Sequence, residues 1–62
     1  MKITIKDAEA AGRRASKIYD ETRYTGGDYR KFVEDVYSQI AFNPDMTDKE
    51  KREARYAFDR TR

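Results

Sequence analysis

The third predicted helix carries the residue types that best suit a binding site. On a helical wheel, a basic and aromatic set falls opposite Ala54 and Phe58, so Tyr56 is expected to point outward. The set consists of Lys49, Arg52, Tyr56 and Arg60. Because Tyr and Arg are enriched at the energetic centres of interfaces, the set is a candidate partner-binding face. A solvated face, on which Arg52 covers the Tyr56 ring by a cation–π contact, is slightly favoured over it.

A second basic set lies in the first predicted helix. Its members, Arg13, Arg14 and Lys17, are candidates for contacts with nucleic-acid phosphates. However, Glu9 precedes Arg13 by one helical turn, and Glu21 follows Lys17 by one turn. Such spacing is typical of ordinary helix-stabilising ion pairs, and this interpretation is favoured.

Catalytic groups are missing from the sequence. The chain has no His and no Cys, which removes the usual general base, the thiolate nucleophile and the commonest metal ligands. Adjacent acids such as Glu34 and Asp35 point about 100° apart on a helix and make a poor acid–base couple. Asn43, Asp45 and Asp48 surround a proline turn, but their spacing matches no EF-hand loop. The sequence therefore predicts a non-enzymatic protein without cofactor or metal.

Composition limits the class of protein. The 62 residues are enough for one domain, residues 1–62, and 14 Lys and Arg against 12 Asp and Glu leave a net charge of only +2. Dedicated nucleic-acid binders usually show a larger surplus. Five Tyr and three Phe argue against disorder. Because no apolar run reaches the length of a membrane span or signal-peptide core, we expect a cytoplasmic protein with no membrane partner.

Three stretches show the periodicity of helices. They cover approximately residues 5–23, 29–41 and 48–60. Thr47 and Glu50 form a capping box at the start of the third helix. Asn43 ends the second, since a residue before proline disfavours helical angles. The predicted fold class is all-α: a three-helix, bundle-like small domain with a short extended N-terminal segment.

The break between the first two helices is predicted from glycine. Thr25, Gly26 and Gly27 should end the first helix, because glycine tolerates the left-handed cap conformation. Asp28 is the expected N-cap of the second helix.

Each predicted helix has an apolar face, and the third is the thinnest. Gly12, at the edge of the first face, would let another helix approach closely. The first face comprises Ala8, Ala11, Ala15, Ile18, Tyr19 and Thr22; the second comprises Tyr29, Phe32, Val33, Val36 and Ile40, with Tyr37 at its margin; the third comprises Ala54, Ala57 and Phe58, with the stem of Lys51. The third helix is therefore the expected weak point, completed by the N-terminal segment, by Phe42 or by a second copy of the chain.

The N-terminal segment has two interpretations. Residues 1–6 alternate apolar and polar side chains, which is the period of a strand. As a strand, Ile3, Thr4 and Ile5 would pair with the sheet of a partner. Alternatively, Thr4 and Asp7 form a capping box, Ile3 and Ala8 form a hydrophobic staple, and the segment packs on its own helices.

The opening Ile3-Thr4-Ile5-Lys6-Asp7-Ala8-Glu9-Ala10-Ala11-Gly12 resembles the first helix and turn of small winged-helix regulators and excisionases. The resemblance covers fewer than twenty residues and then departs. Arg13 stands where such turns bury an aliphatic side chain, and no wing hairpin follows. It implies that the first helix breaks near Gly12 and that Arg13, Arg14 and Lys17 face the major groove.

The favoured function is a small protein-binding module of the accessory, regulatory or inhibitor kind, with another protein as its partner. Its size and self-sufficiency suit a phage or mobile-element accessory protein. The alternative is a nucleic-acid-binding regulator of helix-turn-helix or excisionase-like type. A self-assembling piece, a homodimer for example, is the third hypothesis.

Overall fold

Three helices make up most of the chain in the computed structural model, which describes residues 2–22 and 27–62. They are α1 (Ile5–Thr22), α2 (Gly27–Ala41) and α3 (Asp48–Thr61). No strand lies within the described ranges, so the predicted all-α, three-helix fold is confirmed. Met1, the expected helix end at Arg23 and the Thr25–Gly26 stop lie outside the described residues.

The start of α1 decides between the two interpretations of the N-terminal segment. The Asp7 amide donates to Thr4 Oγ1 at 3.1 Å, and the Thr4 amide donates to Asp7 Oδ2 at 3.1 Å. This reciprocal pair is a capping box, and Ile3 packs against the buried cluster that contains Ala8. Ile5 is already helical and Thr4 is engaged in the cap, so the capping-box interpretation is confirmed and Ile5 is not part of a strand. Pairing of Ile3 and Thr4 with the sheet of a partner stays a prediction.

The predicted start of α3 is confirmed, whereas the predicted N-cap of α2 is not. α2 begins at Gly27, so Asp28 lies inside the first turn and is not the predicted N-cap. There its carboxylate still lies at the positive end of the helix dipole. At α3 the predicted box is confirmed: the Glu50 amide donates to Thr47 Oγ1 at 3.2 Å, and the Thr47 amide donates to Glu50 Oε1 at 3.0 Å.

Small residues allow α1 and α3 to approach closely. Gly12 is buried, and a Cβ atom built on it would lie 1.7 Å from Thr61 Oγ1 and 2.8 Å from the Phe58 carbonyl oxygen. Ala15 and Ala54 are 0% exposed. α3 packs chiefly on α1 and buries Phe58 completely, so its narrow apolar face is covered within the chain.

The connection between α2 and α3 contributes to the core. Met46 and Asn43 are both buried, and Asn43 Oδ1 accepts a hydrogen bond from the Asp45 amide at 2.9 Å. Neither residue belongs to one of the three predicted apolar faces. Phe42, by contrast, is 82% exposed and does not complete the α3 surface as expected. The hydrophobic cluster consists of Ala8, Ala15, Val33, Val36, Ile40, Met46, Ala54, Ala57 and Phe58.

Candidate partner-binding groove

A shallow groove lies between the first turn of α1 and the outer face of α3. Its volume is about 530 Å³ and its surface is predominantly apolar. The lining residues are Ile5, Arg52, Glu53, Tyr56, Ala57 and Arg60. Three of the four residues predicted for the partner-binding face therefore lie in one groove. Lys49, the fourth, is exposed on α3 and does not line it.

Helix geometry places the groove residues in a row. Arg52, Tyr56 and Arg60 succeed one another at four-residue intervals, so they project from one side of α3. Tyr56 is 69% exposed, and Ile5, across the groove, is 39% exposed. An aromatic and an aliphatic side chain thus stand together in solvent, where a ligand would bury them.

The cations around the groove differ in whether they are already paired. Arg60 donates to Glu9 of α1 and thereby links the two helices that form the groove. Lys2 forms an ion pair with Glu50. Arg52 and Lys49 make no ion pair with another residue of the described ranges, and their charges are available to a partner.

The Tyr56 ring is not covered in the way that the solvated-face alternative requires. Within residues 2–22 and 27–62, the cation–ring contacts fall on Tyr37 instead. Arg55 lies 4.5 Å and Arg62 5.8 Å from the centroid of that ring. Tyr56 consequently leaves its ring face open above the groove.

No family model matches this chain. No curated protein and no solved structure matches it either. A functional assignment has to come from the chemistry of its surfaces.

The second basic set lies elsewhere. Arg13, Arg14 and Lys17 are all exposed on α1 and do not line the groove. The implied helix break near Gly12 is wrong, because α1 runs unbroken from Ile5–Thr22 and Gly12 is packed against α3. The expected pairing of Glu9 with Arg13 is also wrong, since Glu9 binds Arg60 across the helix interface.

A polar network joins α2 to the C-terminal end of α3, and none of its members was predicted as a functional residue. It consists of Tyr29, Tyr37, Asp59 and Arg62. Tyr37 Oη donates to Asp59 Oδ1 at 2.5 Å, and Arg62 Nε donates to the same oxygen at 3.0 Å. Arg62 Nη1 also donates to Tyr29 Oη at 2.9 Å. Tyr19 meets the Tyr29 ring edge-on, with centroids 5.1 Å apart. No periodicity signals the contacts of Tyr37 with Asp59 or of Tyr29 with Arg62, because these partners are more than twenty residues apart and become neighbours only when the helices pack.

The network shifts the proton affinities of its members. Partial burial, together with the hydrogen bond to Asp59, raises the pKa of Tyr37. Burial also acts to raise the pKa of Asp59, but the hydrogen bonds from Tyr37 and Arg62 outweigh it and hold that pKa below its ordinary value. At the other end of α3, the Lys2 ammonium and the Thr47 amide lower the pKa of Glu50.

These shifts predict a stability maximum at intermediate pH. The contributions of Asp59 and Glu50 are present above their unfolded-state pKa values, near 3.8 and 4.5, and are lost as pH falls through the lower folded values. The contribution of Tyr37 is present below pH 10.0 and is lost as pH rises through its higher folded pKa. Urea unfolding followed by circular dichroism across this range measures both losses.

Asp59→Asn should lose less stability on acidification than the wild type. Asp35→Asn, which removes the same charge from an exposed position of α2, provides the control. Identical acid profiles for the wild type and Asp59→Asn would contradict the role of the network.

No group of three or more His, Cys, Asp or Glu side chains in the described residues is placed to hold a metal ion. Among the same residues, no helix has the length and apolar character needed to cross a bilayer.

Proposed function

We propose that this protein is a small non-enzymatic binding module, acting in the cytoplasm as an accessory, regulatory or inhibitor protein, and that it holds another protein in the groove between α1 and α3. The supporting observation is the pairing of exposed Tyr56 and Ile5 beside Arg52, a cation without an ion-pair partner in the described part of the chain. An aromatic anchor, an apolar floor and an available guanidinium form the combination found at protein-interface centres.

The groove suits a protein better than a nucleic acid. Its surface is mainly apolar, and Glu53 at its edge would repel phosphates. Arg60 already has a carboxylate partner in Glu9, which reduces the positive charge offered to a backbone. Nucleic-acid binding depends chiefly on phosphate neutralisation by several cations.

Tyr56→Ala and Arg52→Ala are expected to abolish partner capture while leaving the helix content unchanged. Removing a hot-spot Tyr or Arg costs about 2 kcal/mol or more of binding free energy, a loss of roughly thirtyfold in affinity. Both side chains are exposed, so folding does not depend on them. The measurement is affinity capture from the source cell lysate with immobilised wild type and variants, quantified by mass spectrometry, with circular dichroism confirming the fold.

Phe42→Ala is the matched control. Phe42 is 82% exposed, more than Tyr56, but it lies outside the groove. A protein captured through general stickiness would be lost with Phe42→Ala as much as with Tyr56→Ala. Normal capture by both groove variants would rule out the proposed site.

Nucleic-acid binding through α1 is the second candidate function. The observation that favours it is the exposed set Arg13, Arg14 and Lys17, none of which forms an ion pair with another described residue. Titration of a fluorescent duplex should then show affinity that falls steeply with salt and is lost in an Arg13→Ala, Arg14→Ala double variant. Absence of binding at low salt would eliminate this candidate.

A further inference from the structure

We infer that the occupant of the groove is an acidic, extended or helical peptide segment that carries one large apolar side chain. Its apolar side chain lies between Ile5 and Tyr56, and its carboxylates cross α3 at Arg52. This inference rests on the proposed function and adds the chemistry of the partner.

Arg52 connects the groove to a second depression. That depression has a volume of about 360 Å³ and lies where α2 faces the first half of α3. Its lining residues are Tyr37, Ile40, Ala41, Asp48, Lys51, Arg52 and Arg55. Since Arg52 lines both hollows, a segment leaving the apolar groove on this side passes directly over the second one.

The charges in the second depression have one predominant sign. Three cations, Lys51, Arg52 and Arg55, stand against the single carboxylate of Asp48. Lys51 and Arg52 have no ion-pair partner among the described residues. Arg55 forms a long, solvent-exposed ion pair with Asp59, with 3.9 Å between the charged atoms. Carboxylates placed there would meet unneutralised charge, whereas basic groups would be repelled.

The hollow on the Glu53 side of the groove is less suited to the carboxylates of a ligand. A small hollow there is lined by Glu50 and Glu53 together with Lys2 and residues 3–5. Glu50 is engaged by Lys2, but Glu53 has no ion-pair partner in the described ranges. The groove is thus flanked by positive charge at Arg52 and by negative charge at Glu53, which orients an asymmetric ligand.

A peptide selection tests the inference with defined ligands. Random peptides of about twelve residues, long enough to span both hollows, are displayed on phage and selected on the immobilised full chain. The expected consensus combines Asp or Glu with one aromatic or large aliphatic residue. A synthetic consensus peptide should bind Tyr56→Ala and Arg52→Glu at least roughly tenfold more weakly than the wild type.

Charge reversal makes the test specific. Selection on Arg52→Glu, or on Lys51→Glu if that variant is the better folded by circular dichroism, should shift the consensus from acidic towards basic peptides. Arg13→Glu changes the net charge equally on the outer face of α1 and should keep the acidic consensus. An equal shift with Arg13→Glu would overturn the inference, because bulk charge would then explain it.

Other outcomes separate this inference from the proposed function. A selection that enriches no peptides, or enriches peptides without acidic residues, overturns the acidic occupant; if lysate capture still depends on Tyr56, the protein-binding function stands. A Tyr56-dependent dimer in light scattering assigns the groove to a second copy of the chain and also overturns it. Loss of Tyr56 dependence in both experiments removes the groove as an interface.

Discussion

Phe58→Ala is expected to leave most of the chain unfolded at room temperature. Phe58 is 0% exposed and is the largest side chain that the structure buries completely. Its ring meets Tyr37 of α2 edge-on, with centroids 5.6 Å apart, so its loss removes a contact between α2 and α3 as well as the central side chain of the core. Truncating a buried Phe costs about 3–5 kcal/mol. A chain of this size without disulfide or metal has a total stability of roughly the same magnitude.

Urea titration followed by circular dichroism at the helix band measures this loss directly. Phe42→Ala is the control, since it removes the same atoms from an 82% exposed position and should change stability by no more than about 0.5 kcal/mol. A Phe58→Ala variant that keeps a cooperative transition with a loss below about 1 kcal/mol would show that α3 does not dock through this side chain.

Gly12→Ala should destabilise the fold although alanine is the better helix former. The new methyl group would fall 1.7 Å from Thr61 Oγ1 and 2.8 Å from the Phe58 carbonyl oxygen. Thr61 can rotate only by giving up its hydrogen bonds to the Ala57 and Phe58 carbonyls, and the Phe58 backbone cannot yield without moving α3. We expect a net loss of about 1–3 kcal/mol, after a propensity gain of about 1 kcal/mol.

A second substitution distinguishes overpacking from other causes. Thr61→Ala removes the nearest clashing atom, so the Gly12→Ala, Thr61→Ala double variant should recover part of the loss but not all of it. Gly27→Ala is the matched control, because nothing lies within 4 Å of its added Cβ. Its stability should be unchanged or slightly higher. If Gly12→Ala is as stable as the wild type, the close approach of α1 and α3 is refuted.

The candidate groove was only partly predictable. The helical period alone placed Arg52, Tyr56 and Arg60 on one side of the third helix, and in the structure all three line one groove. Ile5 was considered for strand pairing and not for this surface. Its position opposite Tyr56 depends on how α1 crosses α3, which no local pattern encodes. The same crossing brings Glu9 into an ion pair with Arg60, so Glu9 does not pair with Arg13.

Local chemistry determined the three helices and the start of α3, whereas tertiary packing decided which of their side chains meet. The Thr47–Glu50 capping box and most of the apolar face positions depend on residues within one turn or one helix, so the sequence alone was sufficient to predict them. Tyr19, which was assigned to the first apolar face, is an exception, since it is 52% exposed. Three features could be seen only in the folded chain: the burial of Met46, the Tyr37–Asp59 network and the packing of α3 on α1. These depend on distances between residues far apart in sequence, and the absence of a side chain at Gly12 leaves the room that Thr61 and the Phe58 carbonyl occupy.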